Sequence, residues 1–200
     1  MKFSLDIKKI LFLFLLTFLV SLICLAKRII ITKDAIIYIQ AAQALWNYGW
    51  AESINIYQLP VLPILIAVCH FFIRDWIIAA KIVSYFSIIF TIIPFYYLSC
   101  IIFDKQKVFV SSLFFAVSPT FQFQMFEITR EAPFLFFISC FLYYFLQIIK
   151  NYKTSFIILS FLFSILATLT RVEGIFTTAF LILYFSIKGI FSSNIKLRIS

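Results

Sequence analysis

The chain has 200 residues, 64% of them hydrophobic and 12% charged, with a mean hydropathy of +1.09 and a formal net charge of +9. A globule of this size cannot bury so much apolar surface, so a soluble domain is excluded and lipid must cover the remainder. The basic residues lie between apolar runs, where they report membrane orientation rather than contact with nucleic acid, and Gly49, Gly174 and Gly189 are too scattered for a phosphate-cradling loop.

Lys2, Lys8 and Lys9 precede an apolar run from Ile10 to Ala26. No small-residue cleavage site follows, and Lys27-Arg28 comes next, so the run reads as an uncleaved first span with a cytoplasmic N-terminus. Residues 27–75 then form the first outer loop. Its helix starts at Thr32 as N-cap, with Asp34 in the first turn. Ile37, Ala41, Ala44, Leu45 and Tyr48 recur at helical spacing opposite Gln40, Gln43 and Asn47, and Gly49 is expected to close the helix in αL. That pattern suits a helix lying on the membrane surface. Asp34 and Tyr38, four apart, share a side of it.

Leu59–Ile73 is apolar but, at 15 residues, short for a span, which needs about 20. Charge decides its status. If it is a second surface helix, the later spans are 76–103, 108–126, 132–149, 155–169 and 175–187. The cytoplasmic side then receives Lys2, Lys8, Lys9, Lys105, Lys107, Lys150, Lys153, Lys188, Lys196 and Arg198, against only Asp6 and Asp104. The outer side receives Lys27, Arg28, Lys33, Arg74, Arg130 and Arg171, balanced by Asp34, Glu52, Asp75, Glu127, Glu131 and Glu173. Making Leu59–Ile73 a span mixes the signs, so the positive-inside rule favours the first arrangement. The expected fold is an all-α polytopic membrane protein: a single module over residues 1–200, with about six transmembrane helices (the first at 10–26) and amphipathic surface helices in the first outer loop. Its expected location is the cytoplasmic membrane.

This topology brings the Asp34 loop to the same face as two short segments, Glu127–Glu131 and Arg171–Glu173. Asp34 either complements its helix dipole or acts as a general base or metal ligand. Glu131 opens a span, where it either pairs with a neighbour such as Arg130 or orients a substrate. Arg171 and Glu173 are two apart and would not face each other within a helix; they anchor the interface, or Arg171 binds a phosphate through its planar fork. His70, Trp46, Trp50 and Trp76 read as interfacial packing. Cys24, Cys69, Cys100 and Cys140 lie in apolar runs without paired spacing, so no disulfide framework or zinc site is indicated.

The order of these features resembles the N-terminal part of a GT-C type integral-membrane glycosyltransferase, in the branch of protein O-mannosyltransferases and lipid A aminoarabinose transferases. The matching residues are Asp34, Tyr38, Ala41-Ala42 and Gly49, then Tyr57-Gln58-Leu59-Pro60-Val61-Leu62-Pro63 and Ala80-Lys81-Ile82-Val83-Ser84. Ser118-Pro119, Glu131 and Thr170-Arg171-Val172-Glu173-Gly174 follow, so the resemblance covers about residues 10–187. The chain departs from the pattern at Lys33, which precedes Asp34 in place of a second acid, at Gln58 and Leu59, and at Lys81 in place of Arg.

The resemblance implies an inverting transfer of a sugar from a polyprenyl-phosphate carrier to a glycan, lipid or protein acceptor outside the membrane. Asp34 and Glu131 would be catalytic, and Tyr38, Tyr57, Arg171 and Glu173 substrate-binding. No cofactor is indicated beyond a divalent metal left open at Asp34. The partners are the lipid-linked donor and membrane lipid, with no nucleic acid. The alternative is a non-catalytic membrane protein, either a transporter subunit or an inactive transferase remnant.

Overall fold

The computed structural model describes residues 7–25, 31–118, 120 and 127–199, and every regular element among them is helical. In chain order these are α1 (Ile7–Leu25), α2 (Lys33–Tyr48), α3 (Trp50–Ile56), α4 (Val61–Ile73), α5 (Trp76–Ile102), α6 (Lys105–Val117), α7 (Glu131–Lys150), α8 (Thr154–Thr170) and α9 (Ile175–Ile199). A 3-10 turn, Val172–Gly174, joins the last two. The expected span 108–126 begins three residues early, and its part beyond Ser118 lies outside the described residues, as do Lys2, Asp6, Lys27, Arg28 and Pro119.

Among the described residues two helices, α5 and α7, are long and apolar enough to cross a membrane. At about 1.5 Å per residue, the 27 residues of α5 reach about 40 Å and the 20 of α7 about 30 Å, the thickness of a hydrocarbon core. Pro94 lies inside α5 and removes one ladder donor, and two hydroxyls fold back on the same helix just upstream. Ser87 donates to the Val83 carbonyl at 2.7 Å and Thr91 to the Ser87 carbonyl at 2.6 Å. Such back-bonding lets buried hydroxyls sit in an apolar environment with their donors satisfied.

Cross-helix contacts fix which ends lie together. Leu13 of α1 packs with Ile92 and Tyr96 of α5 and with Val108 and Phe115 of α6, while the Tyr85 hydroxyl donates to the Phe18 carbonyl at 3.2 Å. Helix α1 therefore runs antiparallel to α5. At the far end of α5, Lys150 at the close of α7 donates to the Ile101 carbonyl. At its near end, the Thr129 amide donates to Ser84 Oγ, just ahead of α7. The bundle thus has one end holding α2, α3, α4 and the starts of α5, α7 and α9. The other holds the α5–α6 and α7–α8 turns.

Helix α4 is shorter than a span, with 13 residues and about 20 Å of length, and it stays at the first end. Val61 packs with Phe137 and Ala167, Leu62 and Ile66 join Ala80 and Val83 of α5, and His70 stacks on Trp76 at 3.5 Å between ring centres. Trp46 meets both of those rings edge-on. His70 is thus packed among aromatic rings, with its Nδ1 buried and without a hydrogen-bond partner.

Helix α2 corrects the expected face. Thr32 caps it as read, its hydroxyl accepting from the Ala35 amide at 3.2 Å. The buried side is Ala35, Tyr38, Ile39, Ala41, Ala42 and Ala44, whereas Ile37 and Tyr48 are exposed. Isoleucines occupy both flanks of this helix, so hydrophobicity does not choose its phase. The four small alanines do, because they let α2 approach α4 and α5 closely. Gly49 also differs from expectation. Its φ of 96° is positive, but its ψ of −171° lies outside αL, in a region open essentially to glycine alone.

Candidate functional site

The first end of the bundle gathers side chains from four separate stretches. Tyr38, on the buried side of α2, meets Tyr57 edge-to-face with ring centres 4.9 Å apart. Tyr57 follows α3 in extended backbone, and its hydroxyl accepts from Arg130 Nη1 at 3.3 Å. Arg130 immediately precedes α7 and lies 3.9 Å from Glu131, by Nε to Oε1. Glu131, the first residue of α7, accepts from Arg171 Nη1 at 2.9 Å. Arg171 in turn grips Glu173 through two contacts, Nη2 to Oε1 at 2.7 Å and Nε to Oε2 at 3.2 Å.

That last pair lies in the short segment expected between two spans, where the helical spacing rule does not apply. Arg171 and Glu173 do face each other, because the helix stops at Thr170. Arg171 is extended, with φ −144° and ψ 138°, and the 3-10 turn follows at once. The two-residue spacing that separates side chains on an α-helix then brings them to the same edge. Gly174 makes the turn possible: a Cβ there would lie 2.4 Å from the Ala167 carbonyl carbon and the Thr168 amide nitrogen. The guanidinium of Arg171 also lies over the Phe134 ring at 5.6 Å, which leaves its charged edge for the carboxylates.

Asp34 is exposed in the first turn of α2, outside the chain of hydrogen bonds. Its charge still reaches the cluster. Burial foremost, then Tyr57, push Tyr38 well above an ordinary tyrosine, and the carboxylates of Asp34 and Glu131 add to the shift while Arg130 opposes it. Tyr38 is therefore a neutral hydroxyl at physiological pH, suited to hydrogen bonding and not to proton abstraction. Glu173 moves the other way. The Arg171 hydrogen bonds, foremost, hold its carboxyl down at about 2. The hydrogen bond to Tyr57 raises the Arg130 guanidinium above its usual value, and that to Glu173 does the same for Arg171, so both are fixed cations.

All six residues singled out by the sequence, Asp34, Tyr38, Tyr57, Glu131, Arg171 and Glu173, lie at this end. Arg130 is the member that sequence reasoning placed only as a neighbour of Glu131; its reach to Tyr57, 73 residues away, has no local signal. Glu52 and Glu127 take no part in the hydrogen-bonded chain. Among the described residues no three His, Cys, Asp or Glu converge as a metal site.

No family model, no curated protein and no solved structure matches this chain. Its chemistry therefore has to be read from the site. Two cavities lie among the helices that carry the cluster. One of about 340 Å³ runs between α4, α5 and α7, lined by Leu65, Cys69, Val83, Phe86, Phe90 and Phe137 among others, and is almost wholly apolar. The other, about 610 Å³, lies on the opposite flank of α2, between Ile36, Gln40 and Gln43 and the Asp75-Trp76 start of α5. The charged residues themselves line neither. They are joined in series from Tyr57 through Arg130, Glu131 and Arg171 to Glu173.

Proposed function

We propose that this chain is a multi-pass membrane glycosyltransferase that moves a sugar from a polyprenyl-phosphate carrier to an acceptor at the outer face of the cytoplasmic membrane. The observation that carries the reading is the convergence of two arginines, three carboxylates and two tyrosines, drawn from stretches up to about 140 residues apart, onto one end of an apolar bundle. A scaffold needs no such gathering. An enzyme working on a lipid-linked donor does, because sugar and phosphate must be met at the membrane surface while the isoprenoid stays in lipid. The apolar cavity between α4, α5 and α7 suits that division.

In this reading Asp34, exposed and free of the ion-pair chain, takes the proton from an acceptor hydroxyl as that oxygen attacks the anomeric carbon. The bond from that carbon to the phosphate oxygen breaks, the configuration inverts, and the polyprenyl phosphate leaves with its charge facing Arg130 and Arg171. Glu131 holds Arg171 in place, and Tyr38 and Tyr57 offer hydroxyls and ring edges to the sugar.

The test is transfer from a polyprenyl-phosphate sugar in membranes carrying the protein. Asp34→Asn is expected to lower the rate by about 10²–10⁴-fold with unchanged expression. Transfer at the wild-type rate by this variant would remove the base from the proposal.

One observation favours the alternative of a non-catalytic membrane protein. Arg171 already has three of its N–H groups engaged by two carboxylates, as in a structural strut. The strut predicts that Arg171→Gln lowers thermal stability and that Glu131→Gln adds little to it. The transferase reading predicts that both also lower donor affinity.

A further inference from the structure

The opposite end of the bundle holds a second assembly of charge, independent of the transferase reading. The turn between α7 and α8 runs Lys150-Asn151-Tyr152-Lys153, and α9 brings Lys188 down onto it. Lys188 Nζ sits over the Tyr152 ring at 3.5 Å and within 5.9 Å of the Tyr184 ring. Lys150 Nζ donates to the Ile101 carbonyl at 3.3 Å, and Lys153 lies over Phe156. These contacts fix the three ammonium groups on aromatic faces and a helix-end carbonyl. Among the described residues none of the three has a carboxylate partner. Among the described residues, the acid at this end is Asp104, engaged by Lys107 at 3.6 Å.

Three exposed cations with no carboxylate partner among the described residues make this end attractive to an anion. The surroundings indicate which kind. Ile149 and Ile187, each next to one of these lysines, are about half exposed, and Tyr152 presents 59% of its surface. The cations therefore sit beside an apolar wall, with an amphipathic ring between. A soluble anion would use the lysines and leave the isoleucines bare; a phospholipid uses both.

We infer that the Lys150–Lys153 turn and Lys188 form a binding site for the headgroup of an anionic phospholipid, its acyl chains lying along Ile149 and Ile187. The ammonium groups pair with the phosphate oxygens, and the Tyr152 ring keeps Lys188 directed toward the headgroup.

The experiment uses the purified protein in detergent micelles, with thermal unfolding and native mass spectrometry as readouts. Phosphatidylglycerol is expected to raise the unfolding temperature and remain bound, where phosphatidylcholine of the same chains does neither. Lys188→Gln is expected to weaken phosphatidylglycerol retention about fivefold, and Lys150→Gln with Lys153→Gln about 25-fold, at roughly 1 kcal/mol per lysine. Lys33→Gln, at the other end of the bundle, should leave it unchanged. Lys188→Arg retains the charge and should retain binding, which separates loss of the site from loss of the fold. Equal retention of the two lipids, or full selectivity in the triple lysine variant, overturns the inference. Stabilisation by glycerol phosphate alone to the same degree also overturns it, since the site would then need no lipid chain.

Discussion

At the level of single residues, Glu173 shows how a short pair on a surface acquires a defined proton affinity. Arg171 reaches it through two nitrogens, and this bidentate grip, foremost, lowers its carboxyl from the ordinary glutamate value of 4.5 to about 2. A carboxylate held below its unfolded value contributes stability that is present above pH 4.5 and lost as the pH falls through the folded value near 2. The protein is therefore expected to lose thermal stability progressively between about pH 4.5 and pH 2. Glu173→Gln should flatten that part of the profile while leaving stability near pH 7 only slightly lower, because the carboxylate is well exposed. Scanning calorimetry in detergent across this range checks it. An identical acid profile in the variant would show that other carboxylates govern the transition.

The helices explain why some of this was readable from the amino acids alone and some was not. A capping hydroxyl acts within one turn, so Thr32 announces the start of α2 and its bond to the Ala35 amide follows. The phase of α2 was not legible, because Ile36 and Ile37 are as apolar as Ile39, and only packing against Leu62 and Ile66 selects the buried side. The break after Thr170 was legible, since the expected spans stop at 169 and resume at 175, but the meeting of Arg171 and Glu173 was not, because the two-residue spacing rule speaks only for residues within a helix. The cause of the break is Gly174, whose missing side chain lets the turn lie flush on the α8 backbone. Gly174→Ala would drive a Cβ into the main chain of Ala167 and Thr168, which cannot move aside as a flexible side chain could. The expected cost is roughly 1–3 kcal/mol of stability, together with loss of the Thr177 hydroxyl bond to the Gly174 carbonyl. Arg171 is positioned by the same turn, so on the transferase proposal donor binding should fall with it. Gly49→Ala meets no neighbour but demands a positive φ, so its penalty is conformational, about 1–3 kcal/mol.

For the molecule as a whole, the two ends of the bundle differ in charge in a way the fold makes geometrical. Tyr57, Arg130, Glu131 and Arg171 touch in series, which puts the ends of α3 and α8 and the start of α7 together. Lys150 touches the last turn of α5, which puts Lys105 and Lys107, at the start of α6, toward the same end as Lys153 and Lys188. Helix α4 lies wholly at the first end, so the polar stretches on either side of it share a face without α4 having to cross. If the lysine-rich end is cytoplasmic, as the positive-inside rule requires, single cysteines at Asp34, Glu131 and Glu173 will react with an impermeant maleimide in intact cells, once the four native cysteines are replaced. A cysteine at Lys153 will react only after lysis. Labelling of position 34 from outside with positions 131 and 173 protected would mean that α4 spans the bilayer. The contact between Tyr57 and Arg130 could not then form in the membrane, and the site would come apart with it. Labelling of all three from outside puts the hydrogen-bonded cluster at the outer water, where the proposed transfer from a lipid-linked sugar needs it.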